Sequence, residues 1–154
     1  MSLFIRNLIF TIIVPGAGAI YVPWWILSRE GATPKAWYAG VFIILGIALY
    51  PWCVSLFAIV GRGTPGPWDA PRRFVAVGPY RWVRNPIYIS ALLVVTGEAW
   101  LFASPSLLLY AILAALGVHL FVIGYEEPTL CRNFGEEYVA YLRTVSRWIP
   151  RAPR

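Results

Sequence analysis

The chain is organised around the stretch Gly78-Pro79-Tyr80-Arg81-Trp82-Val83-Arg84-Asn85-Pro86-Ile87-Tyr88. This stretch lies between two pairs of long apolar segments, and it combines arginines, aromatic rings and helix-breaking residues. Its expected partner follows the last apolar segment, where the chain reads Glu126-Glu127-Pro128 and then Phe134-Gly135 and Tyr138. We expect the two stretches to meet at one surface of a membrane.

The composition is that of a membrane protein. A length of 154 residues favours one domain. The chain is 59% hydrophobic and 13% charged, whereas soluble domains are about 25% charged. The net charge is +6, but the basic residues flank the apolar runs. Membrane topology therefore explains the charge better than a nucleic-acid partner does.

Four apolar runs predict four transmembrane helices. They cover residues 8–27, 36–60, 86–104 and 105–125, and each approaches the roughly 20 residues that a hydrocarbon core requires. Pro15 is expected to kink the first run, and Pro51 to kink or break the second. Ser104-Pro105 makes the last two a hairpin with almost no outer loop. We interpret the first run as a retained helix rather than a signal peptide.

The residues after 125 predict a further helix. A stripe of apolar and aromatic residues recurs at three- and four-residue spacing, which is typical of an amphipathic helix, and its members are Leu130, Phe134, Tyr138, Tyr141 or Leu142, Val145 and Trp148. The loop at 61–85 and the tail at 126–154 carry five arginines each. The positive-inside rule therefore places both in the cytoplasm.

The predicted fold class is all-α, a multi-pass integral membrane bundle of about four transmembrane helices plus a cytoplasmic amphipathic C-terminal helix. Residues 1–154 are expected to form one domain, with a helix pair at 1–60 and the functional half at 61–154. The sequence leaves the oligomeric state open.

The sequence lacks the motifs of several common enzyme classes. No nucleophile elbow, HExxH or strand-borne GxGxxG is present. One histidine, His119, and two separated cysteines predict neither a metal site nor a disulfide framework. His119 and Glu98 lie within apolar runs, where a structural role is expected, such as a bond from Glu98 to His119 or to a tyrosine. The alternative places Glu98 beside an acceptor pocket.

The two polar stretches offer complementary charges. Arg84, assisted by Tyr80, Asn85 and Tyr88, suits a carboxylate, and the start of a helix at Pro86 adds backbone N–H groups. Glu126 and Glu127 suit an amine, a sulfonium or a ribose diol. Together these groups fit a zwitterionic nucleoside such as S-adenosylmethionine.

The same residues resemble a known family. Gly78-x-Tyr80-x-x-x-Arg84-Asn85-Pro86-x-Tyr88 is similar to the G-x-Y-x-x-x-R-H/N-P-x-Y motif of the isoprenylcysteine carboxyl methyltransferases and their phospholipid methyltransferase relatives. Glu126-Glu127-Pro128-x-Leu130 followed by Phe134-Gly135-x-x-Tyr138-x-x-Tyr141 resembles the C-terminal signature. The resemblance implies a membrane methyltransferase that uses S-adenosylmethionine. Its implied cofactor contacts are Tyr80, Arg84, Asn85, Tyr88, Glu126 and Glu127.

The methyl acceptor is expected to be lipophilic and to enter between the helices. A carboxylate acceptor needs no base, and Arg147 or Arg143 would orient it; an amine or thiol must lose a proton, for which Glu127 is the nearest acceptor. Two alternatives remain: an NADPH-dependent membrane reductase of the sterol reductase type, and a non-enzymatic small membrane protein.

Overall fold

A computed structural model describes residues 3–65 and 72–152, and helices form the regular structure of these residues. The first helix consists of α1 (Leu3–Thr11), a π-helical segment (Ile12–Tyr21) and α2 (Val22–Glu30). The second consists of a 3₁₀ turn (Trp37–Ala39), α3 (Gly40–Leu56) and a π-helical segment (Phe57–Gly61). A 3₁₀ turn (Gly78–Arg81) precedes α4 (Pro86–Phe102), and the last helix consists of α5 (Pro105–Phe121), a π-helical segment (Val122–Glu126) and α6 (Glu127–Thr144).

Three of these continuous helices are long and apolar enough to cross a membrane, namely Ile5–Glu30, Trp37–Gly61 and Pro105–Thr144. The shorter apolar helix α4 has 17 residues. At about 1.5 Å per residue it is roughly 25 Å long, close to the ~30 Å hydrocarbon core. The predicted class, an all-α membrane helical bundle, is confirmed.

The turn between α4 and α5 lies at one end of the bundle. Ala103 adopts the left-handed conformation that ends α4, and Ser104 caps α5 by accepting a hydrogen bond from the backbone of Leu107. The Ser104 hydroxyl also donates to Glu30 at 2.7 Å. The backbone N–H of Lys35 donates to the carbonyl of Leu101 at 2.8 Å. The turn between α2 and α3 and the turn between α4 and α5 therefore lie at the same end of the bundle. The loop before α4 lies at the other end, together with the start of α6.

Small residues let the central helices approach closely. A Cβ added at Gly46 of α3 would lie 2.5 Å from the backbone oxygen of Ser90 in α4, so only glycine fits this crossing. Ser90 is itself buried, and its hydroxyl donates to the carbonyl of Ile87. On the other side of α4 the core is formed by Ala19, Val95, Ala99, Leu107 and Ala111. Helices in lipid associate through this kind of close packing.

Three sequence expectations need correction. Pro51 lies within α3 and does not break it, whereas Pro15 lies within a π-helical segment. The last transmembrane helix also does not end at Tyr125, because it continues through a π-helical segment into α6. α6 ends at Thr144 and Val145 is extended, so Val145 and Trp148 are not on the predicted amphipathic helix.

Candidate active site at the charged end of the bundle

The two glutamates lie where the last π-helical segment joins α6. Pro128 has no N–H with which to continue the α-helical ladder, and the π-helical segment Val122–Glu126 immediately precedes it. A π turn contains one extra residue, which rotates everything after it by roughly 100° around the helix axis. In the resulting orientation Glu126 faces α4, where the Tyr88 hydroxyl donates to its Oε2 at 2.7 Å.

Glu127 is the centre of an ionic cluster. Arg84 Nη1 lies 3.0 Å from Glu127 Oε1. Arg147 binds the same carboxylate with two hydrogen bonds, from Nε to Oε1 and from Nη2 to Oε2, each 2.8 Å long. The side chains of Arg84 and Glu127 are 11% and 13% exposed, whereas that of Arg147 is 31% exposed. The hydrogen bond to Glu127 raises the pKa of the Arg147 guanidinium. One carboxylate thus joins both motif stretches to the tail.

The extended tail after α6 is tied to the loop before α4. The backbone N–H of Arg84 donates to the carbonyl of Ser146 at 2.9 Å, and that of Arg151 donates to the carbonyl of Trp82 at 3.0 Å. The buried side chain of Asn85 donates to the carbonyl of Arg147 at 3.2 Å. These bonds hold Arg147 in position over Glu127.

A bend in α6 places its aromatic residues over the same loop. Gly135 has φ 53° and ψ −131° inside the helix, a conformation that side chains rarely tolerate. Beyond the bend, Tyr138 and Tyr141 are buried and contact the ring of Phe74, with ring centroids 5.5 Å and 4.9 Å away. The Tyr141 hydroxyl donates to the carbonyl of Tyr80 at 2.6 Å. Phe74 and Tyr80 are therefore covered by α6.

Some polar groups at this end have no partner. Among the described residues, Arg84 Nε is buried and makes no hydrogen bond, whereas the buried Tyr80 hydroxyl lies beside the Cys53 thiol. Leaving a buried polar group unpaired costs about 1–3 kcal/mol, so each such group in a native structure requires an explanation. In addition, no side-chain hydrogen bond from Asn85 caps the first turn of α4, which begins at Pro86. These donors face the same charged end.

The structure brings most of the predicted site residues together, but not all. Arg143 is exposed and makes no hydrogen bond or ion pair with the residues that the structure describes. Glu98 bonds neither His119 nor a tyrosine in the part of the chain that the structure describes: Glu98 Oε2 is buried without a partner, and His119 Nδ1 accepts a hydrogen bond from Trp148 Nε1 at 2.9 Å. Sequence reasoning missed this pair because it assigned Trp148 to a helical stripe.

An apolar groove runs from this end towards the middle of the bundle. Its volume is about 530 Å³. Its lining residues are contributed by α3, α4, α5 and the tail, and they are Phe42, Ile89, Leu92, Leu93, Thr96, Ala115, His119 and Trp148. Ile89 follows Tyr88 and Trp148 follows Arg147 in the chain, so the polar part of the groove is at the charged end of the bundle.

The chain matches one protein-family model, PEMT: Phospholipid methyltransferase, over residues 34–137. The match covers more than half of the chain and includes α3, α4, α5 and the first part of α6. No curated protein and no solved structure matches the chain.

Proposed function

We propose, because the chain belongs to the phospholipid methyltransferase family, that it transfers a methyl group from S-adenosylmethionine to a lipophilic acceptor in the membrane. Family membership confirms the resemblance carried by the motifs and makes the chain a membrane methyltransferase in general. It also favours this activity over the reductase and the non-enzymatic alternatives.

The contact between Arg84 and Glu127 carries the proposal, because it joins the two motif stretches at one end of the bundle. The groups beside this contact fit the cofactor. The unpartnered Nε of Arg84 and the uncapped first turn of α4 are suited to the carboxylate of the cofactor. Glu126 uses Oε2 for Tyr88, which leaves Oε1 for the amine or the ribose hydroxyls.

The roles of the two glutamates therefore differ in this proposal. The sequence expectation placed Arg84 and the glutamate pair at opposite ends of one cofactor. Both oxygens of Glu127 are engaged by guanidinium groups, so we assign Glu127 to positioning Arg84 and Arg147. Glu126 is then the acidic cofactor ligand. Tyr80, Asn85, Pro86 and Tyr88 shape the surrounding wall.

When bound, S-adenosylmethionine supplies a methyl group on a positively charged sulfur, and transfer of this methyl group releases S-adenosylhomocysteine. The residues of the chain position the acceptor and exclude water. Arg147 is the better candidate to orient a carboxylate, because Arg143 is exposed and lies outside the cluster. If the acceptor is an amine or a thiol, Glu126 receives its proton, because both oxygens of Glu127 are engaged by guanidinium groups.

We also propose that this end faces the cytoplasm, because the loop at 61–85 and the tail carry most of the arginines. Residues 1–154 act as a single methyltransferase-like unit in this proposal. Its catalytic half is 61–154, and α3 supplies one wall of the groove.

The experiment is calorimetric titration of S-adenosylhomocysteine into the purified protein. Loss of a charge-assisted hydrogen bond costs about 1.5–3 kcal/mol, so Arg84→Ala and Glu126→Gln should each weaken binding roughly ten- to a hundred-fold. Arg132→Ala, an exposed position in α6, is the control and should bind normally. Unchanged affinity in both folded site variants would refute the proposal. Binding of NADPH in a parallel titration would support the reductase instead.

A further inference from the structure

We infer, on the basis of the proposed function, that His119 is a specificity-determining residue. In this inference its imidazole donates a hydrogen bond to an oxygen atom on the head of an amphiphile whose apolar chain lies in the groove. The inference rests on the hydrogen bond that His119 makes, on the composition of the groove and on the position of the groove beside the ionic cluster.

The Trp148 bond determines which nitrogen of His119 carries a proton. Indole Nε1–H is a donor only, so His119 Nδ1, at 2.9 Å, must be the acceptor and has no proton. A neutral imidazole then carries its proton on Nε2. Trp148 is the hydrogen-bond partner of His119 within the described ranges 3–65 and 72–152, so the Nε2–H group is left for a ligand. Because Nδ1 is already engaged, His119 is a donor here and not a general base.

The groove around His119 has the composition of an amphiphile site. Five of its lining residues are aliphatic or phenyl side chains from three helices, namely Phe42, Ile89, Leu92, Leu93 and Ala115. The volume of about 530 Å³ is within the range of small-molecule sites, which are apolar clefts with a few polar groups that fix orientation. A groove with apolar walls and an imidazole donor at one end can bind an apolar chain whose head carries an oxygen atom.

The groove and the ionic cluster are linked through residues that are neighbours in the chain. Trp148, which holds His119, is the residue after Arg147, and Arg147 binds Glu127. An amphiphile whose head reaches His119 therefore has that head on the side of the groove that Trp148 and Arg147 bound, while its chain extends towards Thr96 and Phe42. This geometry selects acceptors by the chemistry of the head.

The experiment uses two photoactivatable probes in phosphatidylcholine vesicles that contain the full-length protein. Both have a twelve-carbon chain with a diazirine group; one ends in a carboxylate and the other in a trimethylammonium group, which has no hydrogen-bond acceptor. Labelling of α4 and α5 peptides is measured against probe concentration. In His119→Phe, half-maximal labelling by the carboxylate probe should require roughly tenfold more probe, equivalent to about 1.4 kcal/mol. Labelling by the ammonium probe should not change.

His119→Gln retains an N–H donor and should restore part of the carboxylate preference, which a merely structural role for His119 does not predict. Ala115→Phe fills the groove and should reduce labelling by both probes. Ile112→Phe, at an exposed position of α5, is its control. Unchanged carboxylate preference in His119→Phe would assign the preference to the arginines and overturn the inference. Unchanged labelling of Ala115→Phe would also overturn it, because the chain would then not lie in the groove.

Calorimetry separates this outcome from a failure of the proposed function. S-adenosylhomocysteine should bind His119→Phe as it binds the wild type, because His119 is not assigned to the cofactor. If the wild type binds no S-adenosylhomocysteine, the proposed function fails whatever the probes show. If the wild type binds S-adenosylhomocysteine but the preference for the carboxylate probe does not depend on His119, only the present inference fails.

Discussion

Replacing Glu127 by glutamine removes one negative charge from between two guanidinium groups and changes the side-chain volume little. Arg84, 11% exposed, then loses its partner at 3.0 Å, and removing one partner of a buried ion pair costs about 3–5 kcal/mol. Arg147 is 31% exposed, so solvent screening limits the cost of losing the Arg147–Glu127 interaction to about 1 kcal/mol or less. We therefore expect Glu127→Gln to lower the free energy of unfolding by roughly 3–5 kcal/mol.

The assay is a double-mutant cycle. The free energy of unfolding is measured by denaturant titration in mixed micelles for Glu127→Gln, Arg84→Gln and the double variant. The Arg84–Glu127 coupling energy should be about 2 kcal/mol, within the range for residues in direct contact. The matched cycle with Arg147→Gln should give a smaller value, because that pair is more exposed. A coupling energy below about 0.5 kcal/mol for Arg84 and Glu127, which is the additivity limit for independent sites, would refute the buried ion pair.

Two further predictions test the bend and the topology. Gly135→Ala should lower the free energy of unfolding by about 1–3 kcal/mol, because φ 53° strains any side chain. The same change at Gly117, a helical position with open space, should be neutral or stabilising; equal effects on the two would contradict the bend. Single cysteines introduced at the exposed positions Arg72 and Arg151 should be labelled from the same side of sealed vesicles, and a cysteine at Thr33 from the opposite side. Labelling of Arg72→Cys and Arg151→Cys from opposite sides would exclude the shared charged end.

The sequence was sufficient to predict the apolar helices and to predict that the two motif stretches lie at the same end of the bundle. Apolar run length predicted the helices around residues 8–27, 36–60, 86–104 and 105–125, because the thickness of a bilayer sets the length of a spanning helix. Ser104-Pro105 predicted the hairpin, since a proline at the start of a helix and a serine cap need no distant partner. The motif stretches meet because an antiparallel hairpin with a short turn returns the chain to the same end.

Sequence reasoning failed where the outcome depended on helical phase. Pro51 predicted a kink or a break, but α3 continues through it, and Pro15, where a kink was expected, lies in a π-helical segment. The stripe from Leu130 to Trp148 assumed one unbroken α-helix. Gly135 bends it and Val145 ends it, so Val145 and Trp148 are not part of the stripe, whereas Phe134 and Tyr138 do share one face against Phe74.

The sequence by itself therefore determined the class of the fold, the number of apolar helices and the end at which the charges collect. Only the tertiary structure decided that Glu127 binds both Arg84 and Arg147, that Glu126 binds Tyr88, and that Trp148 binds His119. The physical reason is that apolar length and net charge are sums over a segment, which tolerate an error of one residue. A side-chain contact is not such a sum, because one residue inserted by a π turn rotates every later side chain by roughly 100° and changes its partner.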